Sequence, residues 1–147
     1  MSQSQFLVVC VGNICRSPVG ERALAGLLGD GARVVSAGLG ALVGHAADET
    51  MCDVADENGL SLEGHSAQQI SRELVQGSTV ILVMEAGHRR ALMEKFPEAS
   101  GRVMLFDHWT GGRDIEDPYR RERAVFERVY AQIIDAARAW APKLEAF

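Results

Sequence analysis

The stretch Phe6-Leu-Val-Val-Cys10-Val-Gly-Asn-Ile-Cys-Arg16-Ser-Pro18 decides the fold. Its first five residues form a short apolar run with β-branched side chains, which predicts a strand buried on both faces. The glycine and asparagine that follow predict a tight loop. Ser17 and Pro18 then predict the N-cap and the first position of a helix, in which apolar residues recur at helical spacing up to Leu28. The first 30 residues therefore predict a strand, a loop and a helix.

The same alternation continues along the chain. Apolar runs predict three further strands, at residues 33–37, 79–84 and 102–106. Helices are predicted from a cap at Asp48 to about residue 58, over 86–95 and over about 121–140, with short helical turns beginning at Ser66 and Ser71. Strands that alternate with helices pair in parallel through right-handed crossovers. We therefore expect an α/β protein: a three-layer α/β/α fold with a four-stranded parallel sheet, helices on both faces and a single domain over residues 1–147.

The composition narrows the classes of function. The chain has 147 residues, of which 47% are hydrophobic and 24% charged, as in a globular domain. A net charge of −5 argues against binding to nucleic acid, and no run approaches the ~18 apolar residues of a membrane span. Three cysteines form no disulfide framework, and the segment Met1–Gln5 has no basic, apolar leader. We therefore expect a cytoplasmic protein that is not inserted in a membrane.

The loop after the first strand has the features of an anion-binding site. In open α/β sheets, ligands bind beyond the carboxyl ends of the strands, where this loop lies. Its amides and the helix N-terminus behind it can bind a tetrahedral oxyanion, and Arg16 can hold the same anion with two parallel hydrogen bonds. A thiol at the base of such a loop, Cys10, is expected to be a thiolate at neutral pH. The predicted phosphate-binding residues are Val11, Gly12, Asn13, Ile14, Cys15, Arg16 and Ser17.

The stretch Val9-Cys-Val-Gly-Asn-Ile-Cys-Arg-Ser-Pro18 resembles the signature loop of the low molecular weight protein tyrosine phosphatases. Asp117-Pro-Tyr119 is similar to the general-acid loop of that family, and Ser36-Ala-Gly38 also matches. The resemblance extends over essentially the whole chain. Two further stretches, Gly38–Gly44 and Val103–Trp109, resemble the bacterial branch associated with capsule and exopolysaccharide export.

The resemblance implies a protein-tyrosine phosphatase that works through a phosphocysteine intermediate. Cys10 is the implied nucleophile, and Arg16 with the loop amides stabilises the charge of the transition state. Asp117 is the implied general acid and base, although Asp114 and Glu116 are neighbouring carboxylates that compete for that role. Neither a cofactor nor a metal ion is expected, because the arginine and the amides supply the positive potential.

The resemblance also assigns supporting roles around the loop. Ser17 is expected to form a hydrogen bond to the sulfur of Cys10 and to assist its departure. Asn13 is expected to hold the shape of the loop, with Ser36 as its buried partner. His65 resembles a family histidine that braces the loop, and the alternative is a histidine on the surface.

Three residues near the loop each have two interpretations. Tyr119 forms a wall for the substrate ring or is an ordinary loop aromatic. Leu42 forms the opposite wall or belongs to the core. Cys15 traps an oxidised Cys10 as a reversible disulfide or is a packing thiol.

The implied partner is a phosphotyrosine protein, a membrane-anchored bacterial tyrosine autokinase that controls exopolysaccharide production. The alternatives on the same fold are an arsenate reductase and a protein-arginine phosphatase. The reductase requires a late cysteine pair, and no cysteine follows Cys52. The arginine phosphatases resemble one another in having a threonine in this loop, at the position where this chain has Ile14. A silent phosphotyrosine-binding module is disfavoured because Cys10, Arg16 and Asp117 are all present.

Overall fold

A four-stranded parallel sheet forms the centre of the fold in the computed structural model, which describes residues 3–147. The strands run in the order β2-β1-β3-β4, with bounds β1 Ser4–Cys10, β2 Ala32–Gly38, β3 Val80–Val83 and β4 Val103–Leu105. The α-helices of the described residues are α1 Arg16–Leu28, α2 Glu49–Glu57, α3 Arg72–Gln76, α4 Ala86–Lys95 and α5 Arg123–Leu144. The predicted α/β class is confirmed. Met1 and Ser2, which the predicted domain includes, lie outside the described residues.

The buried strand β1 divides the hydrophobic interior into two layers. Phe6 and Val8 point into a core formed with α1, α2 and α5. Leu7 and Val9, which alternate with them, point into a second core that includes residues of α3 and α4. Each fully buried side chain of this size contributes about 1.5–3 kcal/mol. The predicted three-layer arrangement, with helices on both faces of the sheet, follows from this alternation.

The strand order places a crevice at the carboxyl end of β1. β1 pairs with β2 on one side and with β3 on the other, so the connections leave it in opposite directions. The end of β2 approaches the following loop closely: a Cβ added to Gly38 would lie 2.3 Å from the carbonyl oxygen of Val11. Glycine is therefore required at this position, because any side chain would displace the loop.

The predicted start of α1 is wrong by two residues. The helix begins at Arg16, with Cys15 as the residue before it, and no side chain caps its N-terminus. Pro18 is therefore the third helical residue. Ser17 does not cap the helix because its hydroxyl faces Cys10 instead, with 2.9 Å between Ser17 Oγ and Cys10 Sγ.

The helical turn predicted after Ser66 does not form. The amides of Ala67 and Ile70 donate to the carbonyls of His45 and Gly38, at 2.9 Å each, so this segment is extended beside the end of β2. A serine followed by polar residues is equally compatible with a cap and with such a backbone pairing, and the tertiary contact decides.

The last helix also differs from its predicted bounds. α5 begins at Arg123, two residues later than predicted, and continues to Leu144, past Trp140 and Pro142. Trp140 donates from Nε1 to the carbonyl of Phe106 at 2.9 Å, which fixes α5 against the chain after β4. Among residues 3–147, no helix is both long enough and apolar enough to cross a lipid bilayer.

Candidate active site

A cavity of about 180 Å³ lies at the carboxyl end of β1. It brings together residues from the loop after β1, the loop after β2 and the segment before α5. Its lining residues are Cys10, Val11, Gly12, Ile14, Cys15, Arg16, Gly40, Leu42, Asp117 and Tyr119. The three predicted catalytic residues, Cys10, Arg16 and Asp117, therefore share one cavity.

The carbonyls of residues 10–14 are all held from outside the loop. Their donors are the amides of Leu39, Gly40, Leu42 and Asp48 and the ring Nε2 of His65, at distances of 2.6 to 3.0 Å. Among the residues that the structure describes, the amides of residues 11–15 have no acceptor within the protein. Carbonyls turned outward and unpaired amides together form an anion-binding concavity.

Asn13 holds the loop in a conformation that few residues adopt. It is fully buried with φ 58°, in the left-handed region. Its side chain donates from Nδ2 to Ser17 Oγ at 2.7 Å and to Ser36 Oγ at 3.0 Å, and its Oδ1 accepts from the amide of Gln68 at 2.9 Å. Its carbonyl accepts from His65 Nε2 at 2.6 Å. Four contacts therefore offset a backbone strain of about 1–3 kcal/mol.

The hydrogen-bond directions in this network determine that Ser17 donates its proton to the sulfur of Cys10. The amide of Gln68 can only donate to Asn13, so Nδ2 of Asn13 faces the two serines. Ser36 gives its proton to the carboxylate of Glu21 at 2.7 Å. The hydroxyl of Ser17 already accepts from Asn13, and its proton is therefore directed at Cys10 Sγ. Such a donor stabilises a thiolate better than a neutral thiol.

Arg16 is held in a buried position by two acceptors. Its Nη1 donates to Glu85 Oε2 at 2.6 Å and to the carbonyl of Ile115 at 2.7 Å. Nη2 lies 3.8 Å from Asp117 Oδ2, at the cavity. Because both short bonds use Nη1, the rest of the guanidinium remains able to bind an oxyanion. Within residues 3–147, no group of three or more His, Cys, Asp or Glu side chains is placed to hold a metal ion.

Of the three carboxylates considered from the sequence, only Asp117 lines the cavity. Its side chain is 48% exposed and faces Arg16. Asp114 accepts instead from the first amide of α4 at 2.9 Å. Glu116 pairs with Arg128, and this hydrogen bond lowers the pKa of Glu116 below its usual range. Asp114 and Glu116 are therefore committed to other contacts.

Two exposed apolar side chains flank the opening of the cavity. Tyr119 and Leu42 both line it and neither belongs to the buried core. The backbone amide of Tyr119 donates to Asp117 Oδ1 at 3.1 Å, which holds the main chain of Tyr119 beside the predicted acid. The core interpretation of Leu42 is wrong, because the loop after β2 turns this residue outward.

Cys15 also lines the cavity but differs from Cys10 in its surroundings. Burial, with a smaller contribution from Asp48, raises the pKa of the Cys15 thiol, so it is protonated at neutral pH. Cys52 is half-buried on α2, and its burial likewise raises its pKa. Only Cys10 receives the directed hydroxyl proton of Ser17, which distinguishes it as the nucleophile candidate.

Two supporting residues were not found from the sequence. Glu85 follows the apolar run of β3 at the carboxyl edge of the sheet. This position beside the predicted site is the one sequence feature that could have indicated its role. Glu21 lies in α1, and nothing in its sequence context indicates a contact with Ser36. Both act through partners distant in the chain, since Glu85 is 69 residues from Arg16 and Glu21 is 15 from Ser36.

The model of a known family, described as low molecular weight phosphotyrosine protein phosphatase, matches residues 5–146. The chain belongs to this family. It is 52% identical over 143 residues to the low molecular weight protein-tyrosine-phosphatase Wzb of Escherichia coli strain K12, covering 97% of each chain. The predicted family and enzyme class, a low molecular weight protein-tyrosine-phosphatase, are confirmed.

Solved structures of related phosphatases share the same architecture. Vibrio vulnificus Wzb in complex with benzylphosphonate aligns with a TM-score of 0.92 and 46% identity, covering 97% of this chain and 99% of that one. The arginine phosphatase YwlE of Geobacillus stearothermophilus aligns with a TM-score of 0.90 and 30% identity, covering 97% and 94%. The fold is therefore shared by relatives that are named tyrosine phosphatases and by one that is named an arginine phosphatase.

Proposed function

We propose that this phosphatase hydrolyses phosphotyrosine through a phosphocysteine intermediate on Cys10. The observation that carries the proposal is the cavity in which Cys10 lies beneath unpaired amides, with Arg16 and Asp117 at its side. This arrangement supplies a nucleophile, stabilisation of negative charge and a proton donor within one site.

In the first step the phosphoryl group moves from tyrosine to sulfur. The amides of residues 11–15 and the free guanidinium nitrogens of Arg16 bind the non-bridging oxygens. The thiolate of Cys10 attacks phosphorus, and the S–P bond forms while the bond to the phenolic oxygen breaks. Asp117 gives its proton to that oxygen, so tyrosine leaves as a neutral phenol.

In the second step water removes the phosphoryl group. Asp117, now a carboxylate, accepts a proton from water as the water oxygen attacks phosphorus. The S–P bond breaks and its electron pair returns to Cys10. The hydroxyl proton of Ser17, directed at the sulfur, stabilises the departing thiolate. Inorganic phosphate is the product, and the enzyme regains its starting state.

The lining of the cavity favours an aromatic phosphate over other phosphoamino acids. Tyr119, Leu42 and Ile14 present apolar surface beside the anion site. A phenyl ring buries against such surface at a gain of roughly 25 cal/mol per Å², whereas a guanidinium loses hydration there. The side chain of phosphoserine is too short to use these walls. We therefore favour phosphotyrosine over the phosphoarginine that the Geobacillus relative is named for.

A comparison of three matched peptides tests this preference. Hydrolysis of a phosphotyrosine peptide should exceed that of the same peptide with phosphoarginine or phosphoserine by about 10²-fold or more in kcat/KM. Release of inorganic phosphate measures all three reactions on one scale. A phosphoarginine peptide hydrolysed as fast as the phosphotyrosine peptide would overturn the assignment.

We infer further that the physiological substrate is a membrane-anchored bacterial tyrosine autokinase, dephosphorylated in the cytoplasm during exopolysaccharide production. Support comes from the stretches Gly38–Gly44 and Val103–Trp109, which resemble the capsule-associated branch of the family. An arsenate reductase remains disfavoured, because no cysteine follows Cys52 to relay electrons.

Cys15 should protect the nucleophile from oxidation. Peroxide converts the Cys10 thiolate to a sulfenic acid, and the Cys15 thiol then displaces water from it to form a disulfide. Wild-type enzyme treated with peroxide should therefore recover its activity after addition of a thiol reductant. Because the pKa of Cys15 is raised, closure of the disulfide should become faster as the pH increases.

The Cys15→Ala variant isolates this role of Cys15. Under the same treatment it should lose activity irreversibly, as Cys10 proceeds to the sulfinic acid. Cys52→Ala provides the control, since Cys52 does not line the cavity. Full recovery of Cys15→Ala would identify Cys15 as a packing thiol.

A further inference from the structure

Arg120 is an exposed arginine beside the cavity that the proposed chemistry does not use. It follows Tyr119, which lines the cavity, and its Cζ lies 5.1 Å from the centre of the Tyr119 ring. A guanidinium at this distance over an aromatic face forms a cation–π contact. The positive charge of Arg120 is therefore held at the opening of the cavity, beside the wall proposed for the phosphotyrosine ring.

The other arginines of this segment are neutralised within the protein. Five arginines lie between residues 113 and 128. Four of them form ion pairs with carboxylates: Arg113 with Asp107, Arg121 and Arg128 with Glu116, and Arg123 with Glu57. Arg120 forms no ion pair within the part of the chain that the structure describes. Its charge can therefore be matched by an anion from outside the protein.

The backbone of Arg120 shows that stability does not explain an arginine at this position. Its φ is 62°, in the left-handed region that glycine adopts at the least cost. Among residues 3–147, Asn13 is the only other non-glycine residue with a positive φ. An exposed cation–π contact contributes about as much as this conformation costs an L-residue, so the stacking alone gives no net stabilisation. Glycine would fit the turn at least as well, and the charge therefore has its use outside the fold.

The other flank of the opening carries no charge. It is formed by the loop after β2, and residues 39–44 include no charged side chain. Leu42 and Val43 of this loop are exposed and apolar. Selection by charge therefore has to arise on the side of Arg120. Asp117, the carboxyl that lines the cavity there, carries a proton in the form that the proposed first step requires, so it does not repel an acidic peptide in that form.

We propose that Arg120 binds the carboxylate of a glutamate or aspartate within two residues of the phosphotyrosine, so that the enzyme selects acidic peptides. This inference rests on the proposed function of the cavity. The guanidinium uses its face for Tyr119, and its N–H groups, which lie in its plane, remain able to bind a carboxylate with two parallel hydrogen bonds. Successive residues of an extended peptide advance by about 3.3 Å, which is comparable with the spacing of the stacked groups. The net charge of −5 opposes binding of an acidic peptide, so an unpaired cation at the opening has a direct effect on selection.

Two phosphotyrosine peptides test the proposal, identical except that the positions flanking the phosphotyrosine on both sides hold glutamate in one and glutamine in the other. Wild-type kcat/KM should be about 3- to 10-fold higher for the glutamate peptide, with most of the difference in KM. In Arg120→Gln this preference should disappear. Arg120→Gly, which suits the left-handed backbone, should lose the preference in the same way. Because each ratio is taken within one enzyme, it does not depend on the fraction of the variant that folds.

Two further variants separate a specific contact from the general charge of the surface. Arg121→Gln removes the same charge from the adjacent residue, which pairs with Glu116, and it should keep the wild-type ratio. Arg120→Glu should instead prefer a peptide with lysine at the flanking positions, which loss of packing around Tyr119 cannot produce.

Three results would overturn the inference. The first is equal kcat/KM of the wild type on the glutamate and glutamine peptides. The second is a preference that persists in Arg120→Gln, which would limit Arg120 to support of Tyr119. The third is loss of the preference in Arg121→Gln, which would assign it to the surface charge as a whole. A wild-type enzyme that hydrolyses none of the phosphotyrosine peptides would instead refute the proposed function, so the two failures are distinguishable.

Discussion

Replacement of Cys10 by serine should abolish turnover of phosphotyrosine while phosphate and phosphotyrosine peptides still bind. The serine hydroxyl remains protonated at neutral pH, and Ser17, which contacts this side chain, directs a proton toward it rather than accepting one. Removal of an essential nucleophile reduces kcat by about 10⁴-fold or more. The loop amides and Arg16 are untouched by the substitution, so the binding of the dianion is retained.

The measurement combines steady-state hydrolysis with calorimetric titration of a phosphotyrosine peptide. Cys52→Ser is the matched control, because it makes the same chemical change at a half-buried thiol on α2. It should keep wild-type activity. Hydrolysis by Cys10→Ser within about tenfold of wild type would eliminate the phosphocysteine mechanism. Loss of binding together with turnover would show that the sulfur, rather than the loop, holds the anion.

Replacement of Asp117 by asparagine should produce the second largest loss, and the loss should depend on the leaving group. A phenol such as tyrosine, with a pKa of about 10, needs a proton as it departs, and general acids contribute about 10²- to 10⁴-fold. A dinitrophenol leaves as a stable anion and needs none. In the variant, the first step with dinitrophenyl phosphate should therefore proceed at nearly the wild-type rate. The first step with phenyl phosphate should be far slower than in the wild type.

Release of the phenol in a single turnover measures this first step directly, without the later attack of water. Glu116→Gln is the control, since Glu116 pairs with Arg128 on the surface and does not line the cavity. If Asp117→Asn slows both leaving groups equally, Asp117 acts through the position of Arg16, 3.8 Å away, and the acid must be sought elsewhere.

The parts of the site that are local in sequence could be predicted. The run Phe6–Cys10 is apolar on both faces, which requires helices on each side of the sheet. Residues 10–16 contain the proposed nucleophile, the unpaired amides and the guanidinium in seven consecutive positions. The contacts that hold this loop could not be predicted in the same way. Glu85 and the carbonyl of Ile115 reach Arg16 from 69 and 99 residues away, and no periodicity marks either one.

The misassigned cap shows why sequence rules fail at functional sites. Ser17 before Pro18 has the composition of a helix start, and propensity alone places the cap there. In the structure the Ser17 hydroxyl forms a hydrogen bond to the sulfur of Cys10, and α1 begins without a side-chain cap. The helix therefore lacks the contribution of about 1 kcal/mol that a side-chain cap makes, and the hydroxyl contacts Cys10 Sγ instead. Ser66 is misassigned for a related reason, because a backbone pairing with the chain after β2 replaces the local turn.

The outward carbonyls and inward amides of the loop link catalysis to the stability of the folded protein. Parallel N–H dipoles that converge on one point repel each other, and the buried Asn13 holds them in place. A dianion relieves that repulsion and binds only the folded chain. At a concentration 100 times its dissociation constant, such a ligand stabilises the native state by about 2.7 kcal/mol. In the proposed mechanism, inorganic phosphate is the product, and it should therefore both compete for the site and stabilise the enzyme that releases it.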